Sequence, residues 1–147
     1  MNIIFTSKLE KRYSEELEKL LFFNPRQKDY IAHITNSINL FGLPEIEFAN
    51  DNIKITIDGL PDAQTLYALD TENLSLIGIM IFSRIDDENL ILLHIGVIED
   101  YSSVGIYSDE LLVPMFIHKL RKIAKMIKGV KMITLMYGHS KLTQIRV

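Results

Sequence analysis

The chain has 147 residues, a net charge of −3 and no cysteine, and nearly half of its residues are apolar. This length fits one domain, which can bury roughly two-thirds of its unfolded surface. The lack of cysteine excludes disulfides, thiolate metal sites and a cysteine nucleophile. No apolar run reaches the ~20 residues of a membrane helix, and the first residues lack the basic region of a signal peptide, so we expect a cytoplasmic protein without a membrane partner.

Two helices are predicted near the N-terminus, after a short strand at Ile3–Phe5. Ser7–Glu10 has the form of a capping box and predicts the start of the first helix. The apolar face of this helix comprises Leu9, Tyr13, Leu17, Leu20 and Leu21. The second helix is expected to begin at Asn24-Pro25 and to end at Gly42, because proline favours the first helical position and glycine the residue after the last.

An alternation of apolar and polar residues predicts strands from residue 45 onward. The predicted strands are Glu45–Ala49, Ile53–Ile57, Thr65–Leu69, Leu76–Arg84 and Leu90–Ile98. Short turns rich in Asp, Asn and Gly separate them. Because short turns join antiparallel neighbours, we expect one antiparallel sheet up to Ile98.

A strand–loop–helix–strand unit follows, with the loop at Glu99–Tyr107, the helix at about Ser108–Lys128 and the second strand at Lys131–Tyr137. A helical crossover makes the strands on either side of it parallel. Helix starts carry unpaired amides and a positive dipole, so this one predicts an anion site. Because Pro114 removes an N–H, the first turn should be irregular or begin later than Ser108.

These elements predict a single α+β domain, a three-layer α/β sandwich with a mostly antiparallel mixed sheet. Its parts are two helices (1–43), an antiparallel meander (44–98), the loop, long helix and parallel strand (99–138), and a short strand or tail (139–147). A last strand at Leu142–Val147 leaves a sheet edge that a second copy could cover. A homodimer through this C-terminal edge is therefore one expectation.

The stretch from Val97 to Ile106, VIEDYSSVGI, resembles the pyrophosphate loop of the GNAT superfamily of acyl-CoA-dependent N-acetyltransferases. In that family a valine, a few polar residues and often a tyrosine precede Q/R-x-x-G-x-G/A. Leu66–Asp70 and Leu76–Phe82 are similar to the family's central hairpin, and Lys128–Leu135 resembles the entry into its fifth strand. The resemblance implies a protein that binds acetyl-CoA and transfers its acetyl group to an amine, here unknown, by direct attack.

The resemblance also implies where the donor would bind. The two parallel strands would splay apart at a bulge and admit the pantetheine arm, and the contributions of the strand would come from Ile95 and Val97. A strand amide would polarise the thioester carbonyl, as an oxyanion hole does. The pyrophosphate would be bound by the loop amides of Val104, Gly105, Ile106 and Tyr107.

Four residues are candidates for proton transfer. His94 lies in mid-strand, on the face opposite Ile95, and is either a general base near pH 7 or a hydrogen-bonded core histidine. Glu99 could activate an amine through water, or be a solvated turn residue. Tyr137, or His139 in the following turn, could protonate the leaving thiolate, or simply end an amphipathic strand. The four histidines lack metal-ligand spacing, so no metal is expected.

Several residues depart from the family pattern and keep a second function open. Ser102 replaces the long side-chain donor, Tyr107 replaces a small residue, and Asp109 and Glu110 place negative charge beside the loop. These departures favour a catalytically inactive GNAT-like domain that acts as a binding or regulatory module.

The charge distribution along the chain has two interpretations. Residues 85–118 contain seven acidic residues and no Lys or Arg, whereas residues 119–147 contain eight Lys or Arg and no acid. This order complements the dipole of the intervening helix, or it marks a binding surface. Because Leu120, Ile123 and Ile127 must face a core, we expect the lysines to be solvated and not to bind nucleic acid.

Overall fold

The computed structural model describes residues 2–22, 38–102, 105, 107–135 and 143–147. Residues 38–41 are helical, and short 3-10 turns occupy Lys11–Tyr13, Glu99–Tyr101 and Ser108–Glu110. The strands and longer helices, in chain order, are β1 (Ile3–Thr6), β2 (Leu9–Glu10), α1 (Ser14–Phe22), β3 (Glu45–Ala49), β4 (Asn52–Thr56), β5 (Gln64–Asp70), β6 (Ser75–Arg84), β7 (Asn89–Val97), α2 (Leu112–Met126), β8 (Met132–Leu135) and β9 (Thr143–Arg146).

The main sheet has six strands in the order β1-β5-β6-β7-β8-β9. Its neighbours are antiparallel except β7 and β8, which are parallel and joined through α2. The predicted mixed sheet with one helical crossover is therefore confirmed. The last strand, β9, lies at one edge of this sheet, where the sequence predicts a short C-terminal strand.

The prediction of one continuous antiparallel sheet up to Ile98 is wrong. β3 and β4 form a hairpin, but they belong to a separate three-stranded sheet in the order β2-β4-β3. β5 pairs instead with β1, with Ile3 opposite Asp70. The apolar face of β4, with Ile53 and Ile55 buried, covers one face of the main sheet, so the hairpin forms a layer over that sheet and does not extend its edge.

The first helix begins later than its capping box predicts. Leu9 and Glu10 pair with β4, opposite Ile53 and Asn52, so the predicted first turn is a strand. α1 starts at Ser14, after a 3-10 turn. The strand pairing of Leu9 and Glu10 with β4 takes the place of the local capping-box interactions. Tertiary structure thus overrides local propensity here. The predicted apolar face is nonetheless buried throughout: Leu9, Tyr13, Leu17, Leu20 and Leu21.

The main sheet is covered on both faces. α1 and the small sheet pack on one face, and α2 packs on the other. β6 is therefore buried on both faces, which explains its continuous apolar run. Phe116 of α2 is fully buried and meets the Phe5 ring edge-on, with ring centroids 5.2 Å apart. A Cβ on Gly78 would lie 2.8 Å from the Phe116 ring, so glycine lets α2 approach the sheet this closely.

The long helix also starts later than the predicted Ser108. A 3-10 turn fills Ser108–Glu110, Leu111 has a positive φ of 55°, and α2 begins at Leu112. Pro114 is thus the third residue of α2, a position where its missing N–H costs no intrahelical bond. None of the helices that the structure describes is long and apolar enough to cross a membrane.

Two further predictions concern the start and the end of the second predicted helix. Gly42 has a φ of +100° and donates its N–H to the Ile38 carbonyl, which ends the helix at residues 38–41 as predicted. The predicted start of that helix, at Asn24-Pro25, lies outside the described residues.

Replacing Phe116 by alanine should destabilise the fold by about 3–5 kcal/mol, because the change removes a fully buried ring and leaves a cavity between α2 and the sheet. Urea unfolding followed by circular dichroism measures the loss. His118→Ala on the exposed side of the same helix is the control and should change the free energy of unfolding by less than about 0.5 kcal/mol. Equal losses in the two variants would contradict this packing.

Candidate active site

One extra residue in β7 shapes the candidate site. Ile81 of β6 faces His94, and Phe82 faces Leu92, so Leu93 is a β-bulge. Leu92 and Ile95 both pack in the core under α2, and Leu93 packs in the core under α1. The bulge therefore turns two successive residues, Leu93 and His94, toward the α1 face. This agrees with the expectation that His94 lies opposite Ile95.

Beyond the bulge, β7 presents a backbone amide to its β8 side. The Ile98 N–H donates to the Ile77 carbonyl of β6 at 3.0 Å. Because N–H directions alternate along an extended strand, the Ile95 N–H points the other way, toward β8. The described pairs of β7 with β8 run from Asn89 and Met132 to Leu92 and Leu135, and the residues directly after Leu135 lie outside the described part of the chain. The separation of the two strands that the resemblance implies near Ile95 stays a prediction.

His94 is held by the end of α1. It makes a hydrogen bond with the Leu20 backbone, while its Nε2 atom is buried without a hydrogen-bond partner. The donor is therefore Nδ1–H, and the acceptor is a carbonyl in the last turn of α1 that has no partner within the helix. Burial lowers the pKa of His94 to about 4, although the bond to Leu20 acts in the opposite direction. The imidazole is neutral at pH 7, with an unprotonated Nε2.

The loop after β7 is compact, and its described amides bond within it. Gly105 N–H donates to the Ser102 carbonyl at 3.0 Å, and Tyr107 N–H donates to the Asp100 carbonyl at 2.7 Å. Both amides were expected to bind pyrophosphate, and both are engaged here. They can receive a ligand only if these bonds open. The other two expected donors, Val104 and Ile106, lie outside the described residues.

Gly105 and Tyr107 have packing roles in this loop. A Cβ on Gly105 would collide with the Glu99 carbonyl oxygen and with the backbone of Asp100, so only glycine fits there. The Tyr107 ring packs against Tyr101, with ring centroids 5.1 Å apart. Loop compaction therefore accounts for the glycine and for the tyrosine that replaces a small residue. Ser102, which replaces a long donor, is buried and its hydroxyl donates to the Glu99 carbonyl at 2.7 Å.

The start of α2 offers few free donors. Leu111 N–H donates to the Ser108 carbonyl, and Pro114 has no N–H. The two amides of the first turn that lack an intrahelical acceptor by position are those of Leu112 and Val113. A regular helix start would offer more, so the predicted anion site is smaller than expected.

Negative charge surrounds Tyr101, between the loop and α2. Burial is the largest cause that raises the pKa of Tyr101 to about 12, and the nearby Asp70, Tyr107, Glu110 and Asp100 contribute to the same rise. The hydroxyl thus stays protonated at neutral pH. Glu110 and Asp100 are exposed, so their charges face any anion that approaches the loop.

The structure does not bring Glu99 and His94 together. Glu99 is exposed in the 3-10 turn after β7. An extended chain rises about 3.3 Å per residue, which puts its Cα roughly 15 Å from that of His94. Tyr137 and His139 lie outside the described residues. Among the residues that the structure does describe, no three His, Asp or Glu side chains are grouped to hold a metal ion.

The resemblance implied a bulge but not its position at Leu93, and sequence reasoning missed the contact of His94 with Leu20. The run Leu90-Ile91-Leu92-Leu93 is apolar at every position, so its periodicity gives no sign of an inserted residue. The last turn of a helix has carbonyls without partners, and a histidine can donate to one of them. This signal could have indicated His94 only if the packing of α1 on β7 had already been known.

The solved structures that this chain is similar to include the following two. One is an IAA acetyltransferase from Bacillus cereus, with a TM-score of 0.42, 13% identity and 91% of this chain covered. The other is a protein from Desulfovibrio desulfuricans assigned to the GNAT family as an acetyltransferase, with a TM-score of 0.45, 12% identity and 91% covered. This chain spans 65% of the first protein and 72% of the second. No protein-family model and no curated protein matches the sequence.

The half-buried His94 ring, with its Nε2 atom fully buried, should make stability depend on pH. Its native pKa of about 4 lies below the ordinary 6.5, so between these values the unfolded chain binds more protons than the native one. The contribution of His94 to the free energy of unfolding is present above pH 6.5 and is lost as the pH falls toward 4. The loss amounts to about 2 kcal/mol between pH 7 and 5. Urea unfolding at pH 7 and pH 5 measures the fall.

His94→Gln should remove this part of the pH dependence, because glutamine does not titrate and can still donate to the Leu20 carbonyl. His118→Gln replaces an exposed histidine of α2 and is the matched control. An equal fall in stability for the wild type and His94→Gln would contradict a buried neutral imidazole.

Proposed function

We propose that this protein is a GNAT-like N-acetyltransferase that transfers an acetyl group from acetyl-CoA to an amine. The observation that carries the proposal is the bulge at Leu93. It directs the Ile95 amide to the β8 side of β7 and turns His94 toward the α1 face. The Ile95 N–H, which is a donor, and the buried His94 Nε2, which is an acceptor, therefore belong to neighbouring residues of β7.

In this proposal the acyl donor binds along β7. The Ile95 N–H donates to the thioester carbonyl and stabilises the negative charge that develops on its oxygen during attack. Val97 contacts the pantetheine arm. The amides of Gly105 and Tyr107, together with Val104 and Ile106, receive the pyrophosphate after their bonds within the loop have opened.

The amine attacks the carbonyl carbon directly. The Nε2 atom of His94 is buried on the α1 face, so the imidazole can contact the amine only after α1 moves away from β7. With a pKa of about 4 this imidazole is a weak base at neutral pH, so water takes the proton, and Glu99 assists through further water molecules. The C–N bond forms, the C–S bond breaks, and Tyr137 or His139 protonates the departing thiolate.

The setting of this reaction is proposed on sequence grounds. The absence of cysteine and of a long apolar run supports a cytoplasmic location without a membrane partner. The free side of β9 remains a candidate edge for a homodimer.

A second candidate function rests on the loop. Its described amides at Gly105 and Tyr107 are bonded internally, and exposed acids stand beside them. Both features oppose pyrophosphate binding and favour a catalytically inactive GNAT-like domain that acts as a binding or regulatory module.

Calorimetric titration with acetyl-CoA at low salt tests the first proposal and separates it from the second. An exposed carboxylate 5–6 Å from a phosphate charge weakens binding by about threefold. The double variant Asp100→Asn/Glu110→Gln should therefore bind acetyl-CoA about tenfold more tightly than the wild type. Tighter binding cannot result from misfolding, which makes the direction of the change informative.

Glu45→Gln/Glu47→Gln, on the small sheet, removes the same charge away from the loop and is the control. No heat up to millimolar acetyl-CoA with either protein would refute the acetyltransferase. Equal affinity for the double variant and the control would place the binding site elsewhere. Binding without acetylation of any amine in a broad panel would favour the inactive module.

A further inference from the structure

The outward face of α2 is acidic and apolar at its start and basic at its end. Leu111 and Met126 are among the large apolar side chains left exposed, at 59% and 87%. Glu110 precedes the helix, and Lys122 and Lys125 are exposed near its end. Positions spaced by three, four or seven residues share one side of a helix. The side that faces away from the sheet comprises Leu111, Pro114, Met115, His118, Lys122, Lys125 and Met126.

Other basic side chains of α2 are turned aside from this face. The Lys119 ammonium lies 5.4 Å from the centre of the Phe5 ring, toward β1. The Arg121 guanidinium donates to the Arg146 carbonyl at 3.1 Å, toward β9. The middle of the outward face, at His118, is therefore less crowded with charge than the sequence suggests.

A cleft of about 520 Å³ opens beside the acidic end of the helix. Its lining combines apolar side chains of β1 and α2 with one carboxylate: Asn2, Ile3, Ile4, Thr71, Glu110 and Met115. Such a lining fits a flexible apolar side chain that arrives together with a cation. The exposed Met126, next to Lys125, is a side chain pair of this kind on the same helix.

We propose that α2 packs antiparallel against α2 of a second copy of this chain, about a two-fold axis near His118. In an isologous pair each contact occurs twice. Glu110 meets Lys125 of the second copy, and Leu111 and the adjacent cleft receive its Met126. The acidic end lies against the basic end, and the two helix dipoles run in opposite directions.

The expected dimer is weak. Leu111 to Met126 spans about 22 Å of helix, a smaller face than the ~800 Å² per partner of a standard interface. We therefore expect a dissociation constant in the micromolar range or above, and weaker association at high salt, where the Glu110–Lys125 contacts are screened.

Sedimentation equilibrium from 10 to 500 μM at low salt tests the proposal. The average mass should rise with concentration above the 16.9 kDa of the monomer. Glu110→Lys alone and Lys125→Glu alone should each weaken the dimer about tenfold, because each places two like-charge pairs in the interface. An equimolar mixture of the two variants should associate like the wild type, since the heterodimer restores both opposite-charge pairs.

Glu45→Lys reverses a charge on the small sheet and should leave the association unchanged. Circular dichroism shows whether each variant is folded. A monomer at every concentration would overturn the proposal. So would a dimer that both α2 variants leave intact, or a mixture that associates no better than either variant alone.

Discussion

The candidate site depends on one inserted residue in a strand that is buried on both faces. Leu93 opposes no residue of its own on β6, so the alternation of β7 changes phase at that point. Without the bulge, His94 would share the α2 face with Leu92, and Ile95 would point toward α1. The bulge instead places an imidazole against the end of α1 and keeps the apolar Ile95 under α2.

The same strand explains why the loop that follows is closed. Ile98 still bonds to β6, so the chain leaves the sheet in a fixed direction and turns at once through Glu99–Tyr101. Gly105 then packs on the backbone of that turn, and the loop satisfies its own amides at Gly105 and Tyr107. Any anion that binds must replace two hydrogen bonds and approach the exposed carboxylates of Asp100 and Glu110.

Much of the fold could be predicted because its signals are local. The apolar run of β6, the positive-φ glycine at Gly42 and the crossover through α2 each follow from a few neighbouring residues. The assignment of β4 to a second sheet could not be predicted, because it depends on whether an apolar face extends the main sheet or covers it. The late start of α1 has the same cause, since Leu9 pairs with Ile53 more than forty residues away.

The site was less predictable than the fold. The prediction that His94 lies on the face opposite Ile95 was correct. It rested on the simple alternation of a strand and did not include the bulge, which puts Leu93 and His94 on the same face. Hydrogen bonds within the loop could not be foreseen, because the sequence specifies donors and not the conformation that pairs them. Pro114 gave the clearest local signal, and α2 starts two residues before it.

The central claim is that the Ile95 amide binds the acyl group of the donor. The most direct measurement is the ¹H–¹⁵N NMR spectrum of the protein titrated with acetyl-CoA and, separately, with CoA that lacks the acetyl group. The account predicts that the Ile95 amide resonance shifts with acetyl-CoA and shifts much less with CoA, while amides of the small sheet stay in place. An Ile95 resonance that moves with neither ligand, or equally with both, would contradict it.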